Sequence, residues 1–534
     1  MPRAPPPHQR HRPETTLLYA IVREHLPAFL DRARERYERP LPKYVARAFA
    51  AYLDCGILER GFLRVRCEAC RQDRLVAFSC KQRGVCPSCA ARVMCNTAAH
   101  LTDRVLPNVP IRQWVLSLPF SLRVPAARDP RLVAACDRIL FDAVQRRLRA
   151  ELGLSRGKAG AVTFVQRFGG SLNLHVHLHV LVLDGLFVRS GAAPPVFVPA
   201  PAPTRADLEH VIREVRDAVV AWIDEHASPD GDDEPDALAG CASIATQRGL
   251  FDDLGGSSAR DDDEPSSPGK RSASLDGFNL HAAVRVGADD DLAREKLVRY
   301  CARPPFALER LSVLRDGRVA YAIKTARKGA THRILTPVEL LARIAALIPP
   351  PRHPFLRYHG VLAPASKWRE HIVPRLVDEA PETALTCPHQ PAHDDATPET
   401  PPLRGRVDPR KRERAGRFAP LWQRPRADEV DRDPRAITAP HRRRLDGGRL
   451  LATTPRLDWA KLLRRTYAVD VLVCPRCHGQ TRVVAAINDP AVIRKILTHL
   501  REPAARAPPS GARDPEDDAI DEPVWLDLEV DIGA

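Results

Sequence analysis

A segment from residue 172 to residue 183, with the sequence LNLHVHLHVLVL, alternates aliphatic residues with histidines. This period-two alternation predicts a β-strand, because successive side chains of a strand point to opposite faces. His175, His177 and His179 would then share one face, and aliphatic residues would share the other. Imidazole is the commonest side-chain metal ligand, so this face is predicted to bind a divalent cation. The alternative is a half-exposed strand that is merely rich in histidine.

Composition and charge limit the class of protein to which the chain can belong. At 534 residues the chain predicts two or three domains, and its net charge of +15 favours a polyanionic partner, first of all nucleic acid. No apolar run is long enough for a transmembrane helix and no signal peptide is evident, so we expect a cytoplasmic protein with no membrane partner. Thiols stay reduced there, and the 13 cysteines therefore indicate metal binding instead of disulfides.

Four cysteines have the number and spacing of ligands in a structural zinc site. Cys67 and Cys70 form one CxxC motif, Cys86 and Cys89 form another, and fifteen residues separate the two. A CxxC turn places two thiolates on one side of a tetrahedron, and the second turn closes it. We therefore predict one Zn²⁺ bound by these four residues.

Other residues extend or compete with this prediction. Cys80 and Cys95 are spare thiols, and either could replace one of the four ligands. The CPRC motif at 474–477 is only half of a site, which His478 or His499 would have to complete. Cationic side chains interleave with the first cysteines and would suit contacts with DNA phosphates, although a solvated basic face would look the same. The candidates for DNA binding here are Lys81, Arg83 and Arg92.

A metal on the histidine face would polarise a phosphodiester but would still need an attacking group. Tyr300 lies in the basic segment EKLVRYCARPP, which runs from residue 295 to residue 305. Lys296 lies one helical turn before the phenol, and Arg299 and Arg303 flank it, so their charges would hold a phosphate. Tyrosine can form a covalent intermediate. Taken alone, such a tyrosine is more often a packed helix residue.

Composition also divides the chain into segments. We predict an N-terminal helical segment (1–60), a zinc-binding domain (61–100), a catalytic domain (101–377) with an acidic, disordered insertion (228–273), a disordered linker (378–455), a small C-terminal module (456–503) and a disordered tail (504–534). Helices are predicted at 130–152, 205–227, 289–303 and 337–347. A strand at 161–168 should form an antiparallel hairpin with the histidine strand. The predicted fold class is α+β, with a central antiparallel sheet flanked by helices.

A set of motifs in the chain resembles the insertion-sequence-91-type transposases. In chain order the motifs are FSCKQRGVCPSC (78–89), QWVLSLPF (113–120), QRFGGSLNL (166–174), HLH (177–179), GFNLHA (277–282), RYCARPP (299–305), YHGVLAP (358–364) and LDWA (457–460). The first is similar to the zinc-binding domain of that family, and HLH is similar to its histidine–hydrophobe–histidine (HUH) motif. The collinear resemblance covers roughly residues 15–500 apart from the two linkers.

The resemblance implies an HUH-type transposase that cleaves and transfers single-stranded DNA in a rolling-circle-like transposition of an insertion sequence. A catalytic Mg²⁺ or Mn²⁺ would be bound by His177 and His179, with His175 or Gln166 as the third ligand. Tyr300 would attack the scissile phosphate and keep a 5′-phosphotyrosine link, with Lys296 as an electrostatic helper. Lys296 stands where two-tyrosine relatives carry their first tyrosine, so a single-tyrosine variant is expected.

The resemblance also implies binding partners, and it leaves two alternative functions to consider. Zinc would be structural, and the partners would be single-stranded DNA at element ends and target DNA in a bacterial cytoplasm, with a homo-oligomer left open. One rival is an HUH replication initiator or relaxase, which the long zinc-binding segment disfavours. Another is a DNA-binding protein whose nuclease has decayed, which the intact His177, His179 and Tyr300 disfavour.

Overall fold

The structure is a computed structural model, which describes residues 12–37, 40–82, 84–226, 237–246, 271–327, 330–351, 353–375, 433–468 and 470–500. Its helices are α1 Leu17–Tyr37, α2 Lys43–Asp54, α3 Pro87–Arg104, α4 Arg123–Arg128, α5 Pro130–Leu152, α6 Arg205–His226, α7 Ala237–Thr246, α8 Asp291–Cys301, α9 Pro337–Leu347, α10 Ala439–Arg444, α11 Trp459–Tyr467 and α12 Pro490–Leu500. Its strands are β1 Phe62–Cys67, β2 Asp73–Ala77, β3 Ile111–Ser117, β4 Gly160–Phe168, β5 Leu174–Leu183, β6 Gly185–Val188, β7 Val196–Pro199, β8 Ser272–Leu275, β9 Phe278–His281, β10 Arg285–Val286, β11 Leu311–Val313, β12 Val319–Arg327, β13 Ala330–Leu335, β14 Leu356–Gly360 and β15 Thr481–Ile487. The predicted α+β class is confirmed.

A seven-stranded sheet forms the centre of the molecule. Its strand order is β14-β4-β5-β3-β9-β8, and β10 pairs with the other end of β3. Every pairing in it is antiparallel. The predicted hairpin is β4–β5, in which Gln166 lies opposite His177 and Phe164 lies opposite His179. The histidine strand β5 is therefore a central strand with a neighbour on each side.

Helices cover both faces of this sheet. Val176, Leu178 and Val180 pack into a large core with residues of α1, α5, α6 and α9. On the opposite face, Leu181 and Leu183 pack against residues of α3 and α8. The three histidines share that second face and are buried as well. The alternation of the sequence thus describes a strand buried on both sides, with its polar residues grouped at one end of one face.

The predicted acidic insertion, 228–273, contains a piece of the core. Helix α7 lies inside this range and buries Cys241 and Ala245 in the main core. The guanidinium of Arg343 in α9 also donates a hydrogen bond to the carbonyl oxygen of Ala245, at 3.2 Å. The acidic stretches on either side of α7 lie outside the described residues. The prediction was wrong about the helix because the surrounding Asp and Gly residues dominated the composition of the range.

The C-terminal part of the chain is not a separate, tethered module. Strand β15 pairs antiparallel with β1, which gives a three-stranded sheet in the order β15-β1-β2. Ile493 and Leu497 of α12 share a small core with Leu58 and Phe62. Part of the predicted linker, 433–455, is also structured, while 376–432 lies outside the described residues. The sequence could not reveal these contacts, because strand pairing between distant segments leaves no local signal.

A buried cluster of charges attaches the C-terminal segment to two helices of the central layer. Arg465 of α11 donates hydrogen bonds to the carboxylates of Asp103 in α3 and Glu295 in α8. Arg444 and Arg299 each donate a hydrogen bond to the Glu295 carboxylate, at 2.7 Å. Burial raises the pKa of Glu295, but Arg465 and Arg299 outweigh it and hold that pKa well below its usual range. The C-terminal segment therefore fixes α8, the helix that carries Tyr300.

We expect Arg465→Leu to lower the free energy of unfolding by about 3–5 kcal/mol, because it leaves two buried carboxylates with less compensation. Urea-induced unfolding followed by circular dichroism measures the change. Arg464→Leu is the matched control: its guanidinium is half exposed, pairs with Asp446 and Asp470, and should contribute about 0–1 kcal/mol. Equal, small effects of the two substitutions would show that the buried cluster does not attach the segment.

No helix in the described part of the chain is long and apolar enough to span a membrane.

Candidate active site and metal centres

The histidine strand and Tyr300 form one continuous row of rings. The rings of His175 and His177 stack at 4.8 Å between centroids, and those of His177 and His179 meet edge to face at 4.8 Å. The ring of Tyr300 stands edge to face against His179 at 5.6 Å. The structure therefore brings together the predicted metal ligands and the predicted nucleophile, which are more than a hundred residues apart in the sequence.

Helix α8 delivers Tyr300 to this row. The side chain of Asp290 caps the helix by accepting a hydrogen bond from the backbone N–H of Ala293, at 2.9 Å. Leu297 and Val298 bury the inner face of the helix, whereas Tyr300 in the last turn is 40% exposed. The guanidinium of Arg303 lies over the Tyr300 ring at 4.9 Å. The phenol is thus within reach of both solvent and the imidazoles.

Gln166 connects the end of α8 to the histidine strand. Its side-chain nitrogen donates to the carbonyl oxygens of Cys301, at 2.8 Å, and Tyr300, at 3.3 Å. Carbonyl oxygens only accept hydrogen bonds, so the amide nitrogen must face the helix and Oε1 must face away from it. Oε1 is buried and makes no hydrogen bond with the described residues. A buried acceptor in this state lacks the partner that such groups normally have.

Neighbouring groups set the protonation of His177 and His179. Nδ1 of His177 lies 3.0 Å from the carbonyl oxygen of His175, which can only accept, so Nδ1 carries a proton. Burial, reinforced by His177 and Arg303, lowers the pKa of His179 and keeps its ring neutral. Nε2 of His179 is buried and makes no hydrogen bond with the described residues. Neutral imidazoles of this kind are suited to metal binding.

The three histidines do not converge on one point. In the described ranges, groups of three or more His, Cys, Asp or Glu ligand atoms within 4.8 Å of one another occur only at two clusters of cysteines. A site formed by all three imidazoles is therefore absent from this arrangement. Gln166, which lies opposite His177 across the β4–β5 pairing, offers the unpaired oxygen described above.

The remaining predicted site residues lie in different surroundings. Lys296 is half buried, one turn before Tyr300 in α8. Arg299, predicted to contact DNA, instead pairs with the buried carboxylate of Glu295, so its charge already has a partner. Lys81 is exposed and Arg92 is half buried in α3, both in the cysteine-rich region. Arg83 lies outside the described residues.

The four cysteines predicted to share one zinc ion lie in two separate clusters. Cys86 and Cys89 group with two other thiols, at sulfur–sulfur distances of 3.7 Å for Cys55–Cys86, 3.6 Å for Cys55–Cys89 and 3.5 Å for Cys80–Cys89. Cys67 and Cys70 group with Cys477 and Cys474, at 3.5 Å and 3.7 Å. The single-site prediction is wrong because the CxxC spacing identifies ligand pairs but not which pairs meet. We call these groups the first cluster (Cys55, Cys80, Cys86, Cys89) and the split cluster (Cys67, Cys70, Cys474, Cys477).

The first cluster joins two helices. Cys55 directly follows α2, and Cys86 is the N-cap of α3, with Cys89 in its first turn. The positive end of the α3 dipole favours thiolates at Cys86 and Cys89. Cys55 was missed because it lies outside any CxxC motif; the sequence showed only a Cys-Gly pair near the end of the predicted N-terminal helical segment. Of the two thiols that the sequence offered as replacement ligands, Cys80 belongs to the first cluster. Cys95 is buried in α3 and belongs to neither cluster.

The split cluster completes the half site predicted at 474–477. Its remaining ligands are Cys67 and Cys70, and neither His478 nor His499 belongs to the group. Backbone N–H groups of Cys477 and Arg476 point at the sulfur of Cys474 and lower its pKa to about 6. Such hydrogen bonds favour the thiolate, which is the form that binds metal.

Two family models match the chain. A model described as "Transposase zinc-binding domain" matches residues 21–118, and a model described as "Putative transposase" matches residues 160–369. No curated protein and no solved structure matches the chain. The first match contains the whole first cluster, and together with the cysteine geometry it supports structural Zn²⁺. The second contains the histidine strand and Tyr300. The chain therefore belongs to the insertion-sequence-91-type transposases.

Proposed function

We propose that this transposase cleaves and joins single-stranded DNA as an HUH enzyme, with Tyr300 as its single nucleophile. The observation that carries the proposal is the edge-to-face contact of Tyr300 with His179, whose Nε2 is buried and without a hydrogen bond in the described structure. The proposed nucleophile and a proposed metal ligand are therefore in contact at the end of α8. The central antiparallel sheet with the histidines on its middle strand supports an HUH fold.

The ligand set that fits a catalytic Mg²⁺ or Mn²⁺ is His177, His179 and Gln166. His177 has its Nδ1 proton fixed by a backbone carbonyl, which leaves Nε2 to coordinate. Gln166 directs Oε1 away from the helix, and oxygen is the donor that these hard cations prefer. His175 is the less suitable third ligand, because the three imidazoles do not converge. Bound there, the cation would polarise an oxygen of the scissile phosphate.

The reaction balances with residues of this chain and DNA. The Tyr300 oxygen attacks the phosphorus, the bond from phosphorus to the 3′ oxygen breaks, and that oxygen leaves with a proton as a 3′-hydroxyl. A 5′-phosphotyrosine link keeps the bond energy until a 3′-hydroxyl of a second strand attacks it and releases the tyrosine. Arg303, which lies over the Tyr300 ring, and Lys296, one turn earlier, are positioned to hold phosphate oxygens.

Gln113 orients His179 for this role. In the structure the side-chain nitrogen Nε2 of Gln113 lies 2.7 Å from Nδ1 of His179. Coordination through Nε2 of His179 requires a proton on Nδ1, which an amide nitrogen does not accept. The same nitrogen donates to Sγ of Cys301 at 3.4 Å, and burial raises the pKa of Cys301, which keeps its thiol protonated and able to donate in turn. Turning the amide of Gln113 by 180° would bring its oxygen to this position, where it would accept from both Nδ1 of His179 and the Cys301 thiol. The metal-bound state therefore has the Gln113 oxygen facing His179.

Gln113→Leu is expected to weaken Mn²⁺ binding about 10–100-fold, because the hydrogen bond that orients His179 is lost. Gln113→Glu keeps an acceptor and should retain most of the affinity. Titration of Mn²⁺ followed by electron paramagnetic resonance measures both. Gln145→Leu, which removes an amide that contacts Ala159 elsewhere, is the control and should leave affinity unchanged. Wild-type affinity of Gln113→Leu would mean that His179 is not held through Nδ1.

The contacts between segments support a division of the chain into two units. We propose a zinc module made of residues 40–104 and 470–500, and a catalytic domain made of residues 111–375 with segment 433–467 docked on it. Lys81, Arg83 and Arg92 of the zinc module, with Arg303 near the nucleophile, are proposed to contact DNA. Arg299 is removed from this set, because Glu295 holds its guanidinium.

A denaturing gel tests the proposed reaction. The full chain is incubated with labelled single-stranded oligonucleotides from the element ends and Mn²⁺, and we expect a covalent protein–DNA band. Joining of the bound strand to a second labelled strand distinguishes the rolling-circle-like transposase from a replication initiator or relaxase that only nicks and recloses its own site. Binding without any covalent band would overturn the proposal and favour a decayed nuclease.

A further inference from the structure

The split cluster is made by cysteines from the two ends of the folded chain. Cys70 and Cys474 are 404 residues apart in sequence, and Cys67 and Cys477 are 410 residues apart. Their four sulfur atoms nevertheless lie within 4.8 Å of one another. Cys474 and Cys477 lie outside both residue ranges that match family models. This cluster is thus a separate centre from the first cluster.

The two halves of the split cluster have the same backbone geometry. The N–H of Arg71 donates to the carbonyl oxygen of Cys67 at 3.1 Å, and the N–H of His478 donates to that of Cys474 at 2.9 Å. Arg71 and His478 have positive φ values of 59° and 57°. Each CxxC motif therefore forms the same tight turn, which ends in a left-handed residue and directs its two sulfurs to one side.

The sulfur spacing fits a tetrahedral metal site. A zinc ion bound to four thiolates at about 2.3 Å places neighbouring sulfurs about 3.8 Å apart. The observed pairs lie at 3.5 Å and 3.7 Å, far beyond the roughly 2.05 Å of a disulfide. Gly479 permits the approach, since a Cβ there would lie 2.8 Å from the Cβ of Ala69 and 3.3 Å from the sulfur of Cys67.

We propose that Cys67, Cys70, Cys474 and Cys477 bind a second structural Zn²⁺, which fastens the C-terminal segment to the N-terminal zinc module. Four thiolates in a tetrahedron select zinc over the hard cations of the catalytic site. The ion secures the pairing of β15 with β1. It also holds in place the end of the segment whose Arg465 supports Glu295 in α8. A metal ion thereby fixes, from a distance, the helix that carries Tyr300.

Metal counting on the full chain tests this proposal. Native mass spectrometry of the wild-type protein, purified without a metal-affinity tag, should show two Zn²⁺ per chain. Cys474→Ser with Cys477→Ser should leave one, whereas Cys136→Ser with Cys241→Ser, two buried cysteines outside both clusters, should leave two. One Zn²⁺ in the wild type, or iron in place of the second zinc, would overturn the assignment.

A second measurement needs no variant that could fail to fold. Cys477 is exposed, so a free thiol there should react readily with iodoacetamide. In the wild-type protein we expect its alkylation, followed by peptide mass spectrometry, to be at least about tenfold slower than after treatment with a zinc chelator. Fast alkylation that a chelator does not change would contradict the proposal. Neither readout depends on DNA cleavage, so the result is independent of the proposed catalytic mechanism.

Discussion

Tyr300→Phe is expected to abolish the covalent protein–DNA adduct while DNA binding stays intact. The substitution removes the attacking oxygen and keeps the ring that contacts His179 and Arg303. Loss of a nucleophile in enzymes with covalent intermediates costs on the order of 10⁴–10⁶ in rate. The phenol is partly exposed, so the free energy of unfolding should change little. Single-turnover adduct formation on a denaturing gel, with binding measured by fluorescence anisotropy, separates the two effects.

Tyr467→Phe is the matched control for this experiment. Tyr467 is exposed to nearly the same extent as Tyr300, 43% against 40%, but lies on α11, where its hydroxyl interacts with Cys95 of α3. Its substitution should leave adduct formation at the wild-type rate. Burial raises the pKa values of Tyr321 and Tyr358, so both phenols are harder to deprotonate. A nucleotide found on either of them by mass spectrometry would contradict the assignment of Tyr300.

His177→Ala and His179→Ala are each expected to remove metal-dependent cleavage. Each substitution deletes one of three proposed ligands, and the open site should bind Mn²⁺ too weakly to support the reaction. We expect a loss of at least about 10²-fold in the rate of adduct formation, given that disturbing only an outer hydrogen bond costs 10–100-fold. Cleavage assays across a range of Mn²⁺ concentrations, with thermal unfolding of each variant, provide the measurement.

His175→Ala is the control for packing. The His175 ring is as deeply buried as that of His179, and it stacks on His177 at 4.8 Å. Its loss should therefore disturb the core about as much, yet reduce cleavage less, because His175 is outside the proposed ligand set. An inactive His175→Ala variant beside an active His179→Ala variant would show that the ligand set is wrong.

Local patterns in the sequence determined the elements of this fold. The period-two alternation identified β5 and the face of its histidines, and the β4–β5 hairpin was predicted from the adjoining strand and Gly-Gly turn. The helix predicted at 130–152 is α5, and the one at 289–303 contains α8. These predictions succeed because the side-chain period of a strand or helix is encoded within a few residues of the chain. The proximity of Tyr300 to the histidines was expected from the family resemblance, not from spacing.

Only the tertiary structure decided how distant segments meet. It divided Cys67 and Cys70 from Cys86 and Cys89, and it joined each pair to cysteines that the sequence could not assign. It also showed that Arg299 serves the buried charge cluster around Glu295. Spacing along the chain limits which ligands can be neighbours in one turn, but partners hundreds of residues apart are chosen by strand pairing and core packing. Those interactions depend on the whole fold, so the CxxC motifs identified three ligand pairs, whereas the structure decided their grouping and added Cys55 and Cys80, which belong to no CxxC motif.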